Sequence, residues 1–150
     1  MDHAILQLIT AMTGSMGFAL LFHVRPRLVL PAALGGFFNW WVYLISARFF
    51  DGVLTPSVIT AAFSAIYAEL MARRFKAPAT VFFIPTIIPL IPGSTLYYTM
   101  SSIVAKDWNA AKEFGYTTAQ YALGIAAGAS LIWTLNDIIK KACTHFSHKS

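Results

Sequence analysis

Pro85, Pro89 and Pro92 fall inside a charge-free run from Ala77 to Ala105, and Pro92 is followed by Gly93 and Ser94. Each proline lacks a backbone N–H, so a helix through this segment leaves the carbonyls of Val81, Pro85 and Ile88 without their usual donors. In hydrocarbon an unpaired carbonyl costs several kcal/mol, and such a break survives only against protein, water or a ligand. Gly93 supplies backbone freedom, and Ser94 or Thr95 is placed to cap a second half-helix running toward Ala105. The free N–H groups and positive dipole end of that half-helix suit a carboxylate. The carbonyls left on the Val81–Ile88 side suit an ammonium group, a cation or water. An amino-acid zwitterion matches both ends of the gap; a dicarboxylate matches the N–H end twice. Tyr97 and Tyr98 lie one turn further on, within reach of the gap for a phenol. The alternative is a kinked helix whose free groups are met by neighbouring helices.

What positions such a break is a membrane-spanning bundle. Of the 150 residues 57% are hydrophobic and only 11% charged, with mean hydropathy +0.63. Soluble domains carry roughly 25% charged residues, so too few are present here to cover a water-facing surface. Stretches long enough to span predict about five transmembrane helices, near residues 4–22, 28–47, 53–72, 79–105 and 116–135. The fold class is therefore all-α integral membrane protein, with the fourth helix broken near the bilayer midplane, since Ile91 is the midpoint of Ala77–Ala105. Residues 1–139 form a single transmembrane domain and 140–150 a basic tail. Met1-Asp2-His3 lacks the positive region of a signal peptide, so the first apolar segment is read as a retained helix.

The net charge of +5 is distributed as a topology signal and not as a nucleic-acid surface. Arg25 and Arg27, then Arg73, Arg74 and Lys76, then Lys140, Lys141 and Lys149 fall in alternate connections. Only Arg48, Lys106 and Lys112 fall in the others. The positive-inside rule puts the N-terminus outside and the C-terminus in the cytoplasm of a cell-membrane protein. A re-entrant fourth element remains the other arrangement, with a less marked charge asymmetry.

Three further polar residues sit inside the spans. Asn39 and Ser64 lie near mid-depth, where an amide or hydroxyl needs an interhelical partner or a substrate. Glu69 is four residues before Arg73, a spacing that places the two on one helix face as an ion pair; a coupling or gating carboxylate is the sharper reading. Thr10, Thr13, Gly14, Ser15 and Gly17 in the first span read as packing residues, as does Gly124-xxx-Gly128 in the last. Thr55-Pro56 suits the start of the third helix. Residues 106–113 read as a polar outer loop.

Other chemistry finds little support. His145-x-x-His148 in the tail makes a poor metal site, Cys143 is the one cysteine, and no nucleophile elbow, P-loop or dinucleotide fingerprint occurs. No enzyme activity, metal or cofactor is expected. Uphill transport would draw on an ion or proton gradient, or on an ATPase on another chain.

The segment from Pro78 through Pro85, Pro89, Pro92, Gly93 and Ser94 to Tyr97 and Tyr98 resembles the threonine/serine exporter family, in its small-subunit or C-terminal-half branch. The likeness is dense over about Ala77 to Met100. It implies a membrane protein exporting small hydroxy-amino acids with the proton gradient, alongside a larger partner subunit. A related branch is associated with succinate-like dicarboxylates. Pro85, Pro89, Pro92, Gly93 and Tyr97 are the motif positions that carry over. A half that begins outside also fits an inverted repeat. The expected function is thus a subunit of a threonine/serine exporter. The broken helix supplies the substrate contacts, and Asn39, Ser64 and Glu69 are candidates for substrate or coupling roles. A dicarboxylate exporter subunit and a non-transporting scaffold for a partner are the alternatives.

Overall fold

The computed structural model describes residues 2–147, and those residues are helical apart from short turns. The helices are α1 (Asp2–Leu21), α2 (Pro26–Phe49), α3 (Leu54–Phe75), α4 (Thr80–Ile87), α5 (Gly93–Val104) and α6 (Trp108–Ser147), with a single 3₁₀ turn (Ile88–Leu90) between α4 and α5. Four helices are long and apolar enough to cross a bilayer. The α4–α5 pair, bent by 55°, makes a fifth crossing if counted as one span.

Small residues set the packing. In α2, Gly35 is pressed by Thr86 and Tyr67, and Gly36 by Ser15, so α4 and α1 approach α2 from two sides of one turn. In α6, a Cβ on Gly124 would stand 2.6 Å from the Ser57 Cβ, and one on Gly128 would run into the Val58 carbonyl. The Gly124-xxx-Gly128 pair therefore serves a close α3–α6 contact within this chain. Gly14 and Gly17 have nothing within 4 Å of an added methyl, which corrects their reading as packing residues. Of the first-span residues, Ser15 packs against Gly36, together with the Ala11 carbonyl.

The turns locate the two ends of the bundle. His23 and Arg25 from the α1–α2 turn line one cavity with Lys76 from the α3–α4 turn. Arg73 Nη2 donates to Asn136 Oδ1 at 2.9 Å, bringing the later part of α6 to this same basic end. Gly124 meets Ser57 while Asn136 meets Arg73, so α6 runs parallel to α3. The α4–α5 unit between them carries the chain from the basic end of the bundle to the opposite one.

Two expectations about element ends are corrected. Thr55 is not the cap of α3: Val53 holds that place, with no side-chain bond. The loop foreseen over 106–113 is mostly helix, because the Asp107 carboxylate accepts the Ala110 N–H at 3.2 Å and starts α6 at Trp108. α6 continues through the tail to Ser147, since neither glycine nor proline stops it there. His148 and Lys149 lie outside the described residues.

Candidate functional site

The broken helix is built as its prolines require. α4 keeps Pro85 inside its last turns, then tightens into the 3₁₀ turn. Ile91, extended with ψ 124°, ends the first half. The Ile91 N–H donates to the Ile88 carbonyl at 3.1 Å, so Ile88, one of the three carbonyls expected to lack a donor, has one. Leu90 is packed with Ala61 and Ile87, about one turn along α3 from Ser64.

Beyond the break, α5 turns away from the bundle. It packs on α6, where the Thr118 hydroxyl donates to Thr95 Oγ1 at 2.9 Å and the Tyr98 and Phe114 rings lie 5.3 Å apart. None of its residues is buried. The cap foreseen at Ser94 or Thr95 is absent: Pro92 is the N-cap residue and makes no side-chain bond. The Thr95 hydroxyl instead donates back to the Pro92 carbonyl at 3.2 Å. Ser94 is exposed, as are Tyr97 (67%) and Tyr98 (50%), whose rings pack edge to face on each other. Within this chain these residues lie away from the first half of the break. Gly93 has an ordinary backbone and nothing within 4 Å of an added Cβ, so the bend does not depend on its lacking a side chain. Gly93→Ala is accordingly expected to leave expression and thermal stability within error of the parent, read by fluorescence-detected gel filtration after heating. Gly93→Leu should fold equally well yet obstruct anything that occupies that space.

The polar groups that do converge lie on the other side of the break. Ser64 Oγ donates to Asn39 Oδ1 at 2.6 Å, joining α3 to α2 in a fully buried contact. The Asn39 amide nitrogen, the Ser15 hydroxyl and the Thr86 hydroxyl are also fully buried and have no hydrogen-bond partner among the described residues. All three meet α2 between Gly35 and Asn39, from α1, from α2 itself and from α4. Buried groups of this kind ordinarily find a partner, because leaving one unmade costs about 1–3 kcal/mol. One turn further along, Gln7, Thr10, Ala11, Trp40 and Pro89 line an open cavity of about 240 Å³. That is a little below the roughly 300–1,000 Å³ of drug-sized pockets, a size for a small metabolite. The Trp40 indole N–H reaches Gln7 Oε1 at 3.4 Å. No charged side chain among the described residues lines this cavity.

The model of the family described as "Threonine/Serine exporter, ThrE" matches residues 7–135. The chain belongs to the threonine/serine exporter family. No curated protein and no solved structure matches it. The family is one of transporters, which fits a multi-pass membrane protein acting on a small-molecule substrate, and the match extends well beyond the proline-rich segment to all the helices around it.

In this exporter-family chain the sequence-derived candidates divide into three groups. Pro85, Pro89, Asn39 and Ser64 fall around the buried polar groups and the cavity. Pro92, Gly93, Ser94, Thr95, Tyr97 and Tyr98 mark the exposed start of α5. Glu69 stands apart near the basic end, where its carboxylate accepts from Arg73 Nη2 at 3.2 Å. The Arg73 side chain is 61% exposed and that of Glu69 18%, so the pair is open to solvent on its cationic side and contributes about 1 kcal/mol. Glu69→Gln is therefore expected to change stability by less than about 1 kcal/mol and efflux by less than two-fold; a ten-fold loss of efflux would mark it as a coupling group. Ser15, Thr86, Gln7, Thr10 and Trp40 were not singled out as site residues from sequence. Their signal was spacing: Gln7, Ala11 and Ser15 repeat every four residues along one face of α1.

Proposed function

We propose that the chain is the smaller subunit of a proton-coupled threonine/serine exporter, working with a larger subunit of the same family. Substrate passes between α1, α2 and the first half of the broken helix. The observation that carries this reading is the set of unpartnered buried groups on Asn39, Ser15 and Thr86 beside the Pro89 cavity, in a chain of this family. An amide N–H pair and two hydroxyls offer donors and acceptors to a carboxylate, an ammonium and a hydroxyl without any fixed charge. Such a neutral lining favours a zwitterionic hydroxy-amino acid. A dicarboxylate would enter as a dianion with no cation among the described residues at this cavity to offset its desolvation, so succinate-type export is the weaker reading.

The exposed α5 and the first turns of α6 would meet the larger subunit, whose groups would complete the N–H end of the gap at Gly93 and Ser94. The distribution of basic residues supports an N-terminus outside and a C-terminus in the cytoplasm of a cell-membrane protein. Efflux of preloaded threonine, serine and succinate is the test, in cells without their own exporters, with each subunit alone and with both. Threonine or serine efflux requiring both chains is expected. Succinate efflux alone would overturn the substrate, and full efflux by this chain alone would overturn the partnership. No efflux from an assembled pair would favour a scaffold.

A further inference from the structure

Two cavities at the basic end, of about 300 and 140 Å³, share Phe22, Val24 and Val81 as walls. The larger has His23, Arg25 and Lys76 around it and no acidic residue among those described. The smaller continues along α4 past Ile84 to Pro85. Together they form a groove between the end of α1 and the start of α4, cationic at the bundle end and chiefly apolar further in. Phe22 and Ile84, on its rim, are exposed. Among the described residues no ion pair involves His23, Arg25 or Lys76.

Left-handed helix ends occur at His23, Lys76 and Lys106 among the described non-glycine residues, and two of the three lie at this groove. His23 and Lys76 each close a helix with φ 52°, the left-handed position that glycine fills at least cost. In both turns the sequence has a nitrogen donor there instead, and both donors line the same cavity.

We propose that this groove holds an anionic phospholipid, with its phosphate on Arg25, Lys76 and His23 and the start of an acyl chain along Phe22, Val81 and Ile84. Charge complementarity selects the headgroup: three nitrogen donors without a carboxylate leave an anion as the matching ligand. The apolar continuation selects a lipid over a soluble anion, because the second carboxylate of a dicarboxylate would have no partner at Val81 and Ile84. The lipid would wedge between α1 and α4 at the foot of the broken helix, next to Pro85. This assignment is independent of the transported substrate.

The purified chain in a neutral detergent tests it by the thermal unfolding midpoint during titration with dioleoyl phosphatidylglycerol, dioleoyl phosphatidylcholine or glycerol 3-phosphate. Phosphatidylglycerol alone is expected to raise the midpoint. Arg25→Gln and Lys76→Gln, at turn positions where the change leaves folding intact, should each raise the lipid concentration needed about five-fold, and together about thirty-fold. Val81→Trp keeps the charges and fills the groove, and should abolish the response. Lys106→Gln with Lys112→Gln, at the other end, should leave it unchanged. Equal stabilisation by phosphatidylcholine, an equal loss in the Lys106/Lys112 variant, or a response to glycerol 3-phosphate at matching concentration would each overturn the lipid assignment.

Discussion

Asn39→Leu is expected to lower threonine efflux by roughly ten- to hundred-fold while the protein still assembles. The magnitude follows from removing one or two hydrogen bonds to a desolvated substrate, about 1–3 kcal/mol, at about 1.4 kcal/mol per factor of ten. Assembly survives because leucine is similar in size and apolar, and Ser64 retains a second acceptor in the Thr60 carbonyl at 3.1 Å. The loss of the Ser64–Asn39 bond itself costs about 1 kcal/mol or less by the measured scale of interhelical bonds in membranes. Ser64→Ala should then reduce efflux less than Asn39→Leu, since the group without a partner is the Asn39 nitrogen and not the Ser64 hydroxyl. Efflux of both variants, normalised to the amount of assembled protein, checks this. If Asn39→Leu loses efflux only in proportion to lost protein, Asn39 is a packing residue.

Gly128→Leu should give a large structural effect. The added side chain would meet the Val58 carbonyl, the Ala62 N–H nitrogen at 2.9 Å and the Ala61 methyl at 2.9 Å. Two of these are backbone atoms of α3, which cannot swing aside as a flexible side chain does. Overpacking of this kind costs about 1–3 kcal/mol, and more where nothing yields. Losses of that size lower steady-state abundance several-fold. Little monodisperse protein should be recovered in gentle detergent. Gly17→Leu is the matched control, since nothing lies within 4 Å of a Cβ there, and it should be recovered at the parental level. Equal recovery of both variants would show that α3 and α6 are not packed through these glycines.

Much of this fold was legible in the sequence because a bilayer leaves few solutions. Long uncharged runs must be helices, and three prolines in one run must break it. The direction of the break was not legible. Proline spacing fixes which donors are missing, but the 55° turn is decided by α5 docking on α6 through Thr95–Thr118 and Tyr98–Phe114. That docking is what carries Tyr97 and Tyr98 away from Pro85. The start of α6 was missed because the polar composition of 106–113 outweighed the capping capacity of Asp107.

The central polar contact was more accessible than it looked. Asn39 lies twelve residues before Asp51 and Ser64 twelve after Gly52, so a tight turn at Asp51–Gly52 between antiparallel helices brings the two level. Each was singled out alone; reading the turn as a register mark would have paired them. Ser15 and Thr86 offered no such mark. Their burial follows from Gly35 and Gly36 admitting two helices at adjacent positions of one turn, which a linear pattern does not show.

Substrate protection of a cysteine at position 10 is the sharpest test of the proposed site. With Cys143→Ser as background, Thr10→Cys places one thiol on the wall of the Pro89 cavity in cells expressing both subunits. Labelling by a small, membrane-impermeant thiol reagent would then be timed with and without threonine, serine, succinate or alanine. Threonine and serine are expected to slow labelling in proportion to their occupancy, alanine and succinate far less, and Asn39→Leu should remove the protection. Labelling unchanged by threonine in a pair that still exports it would contradict the assignment and place the substrate path elsewhere.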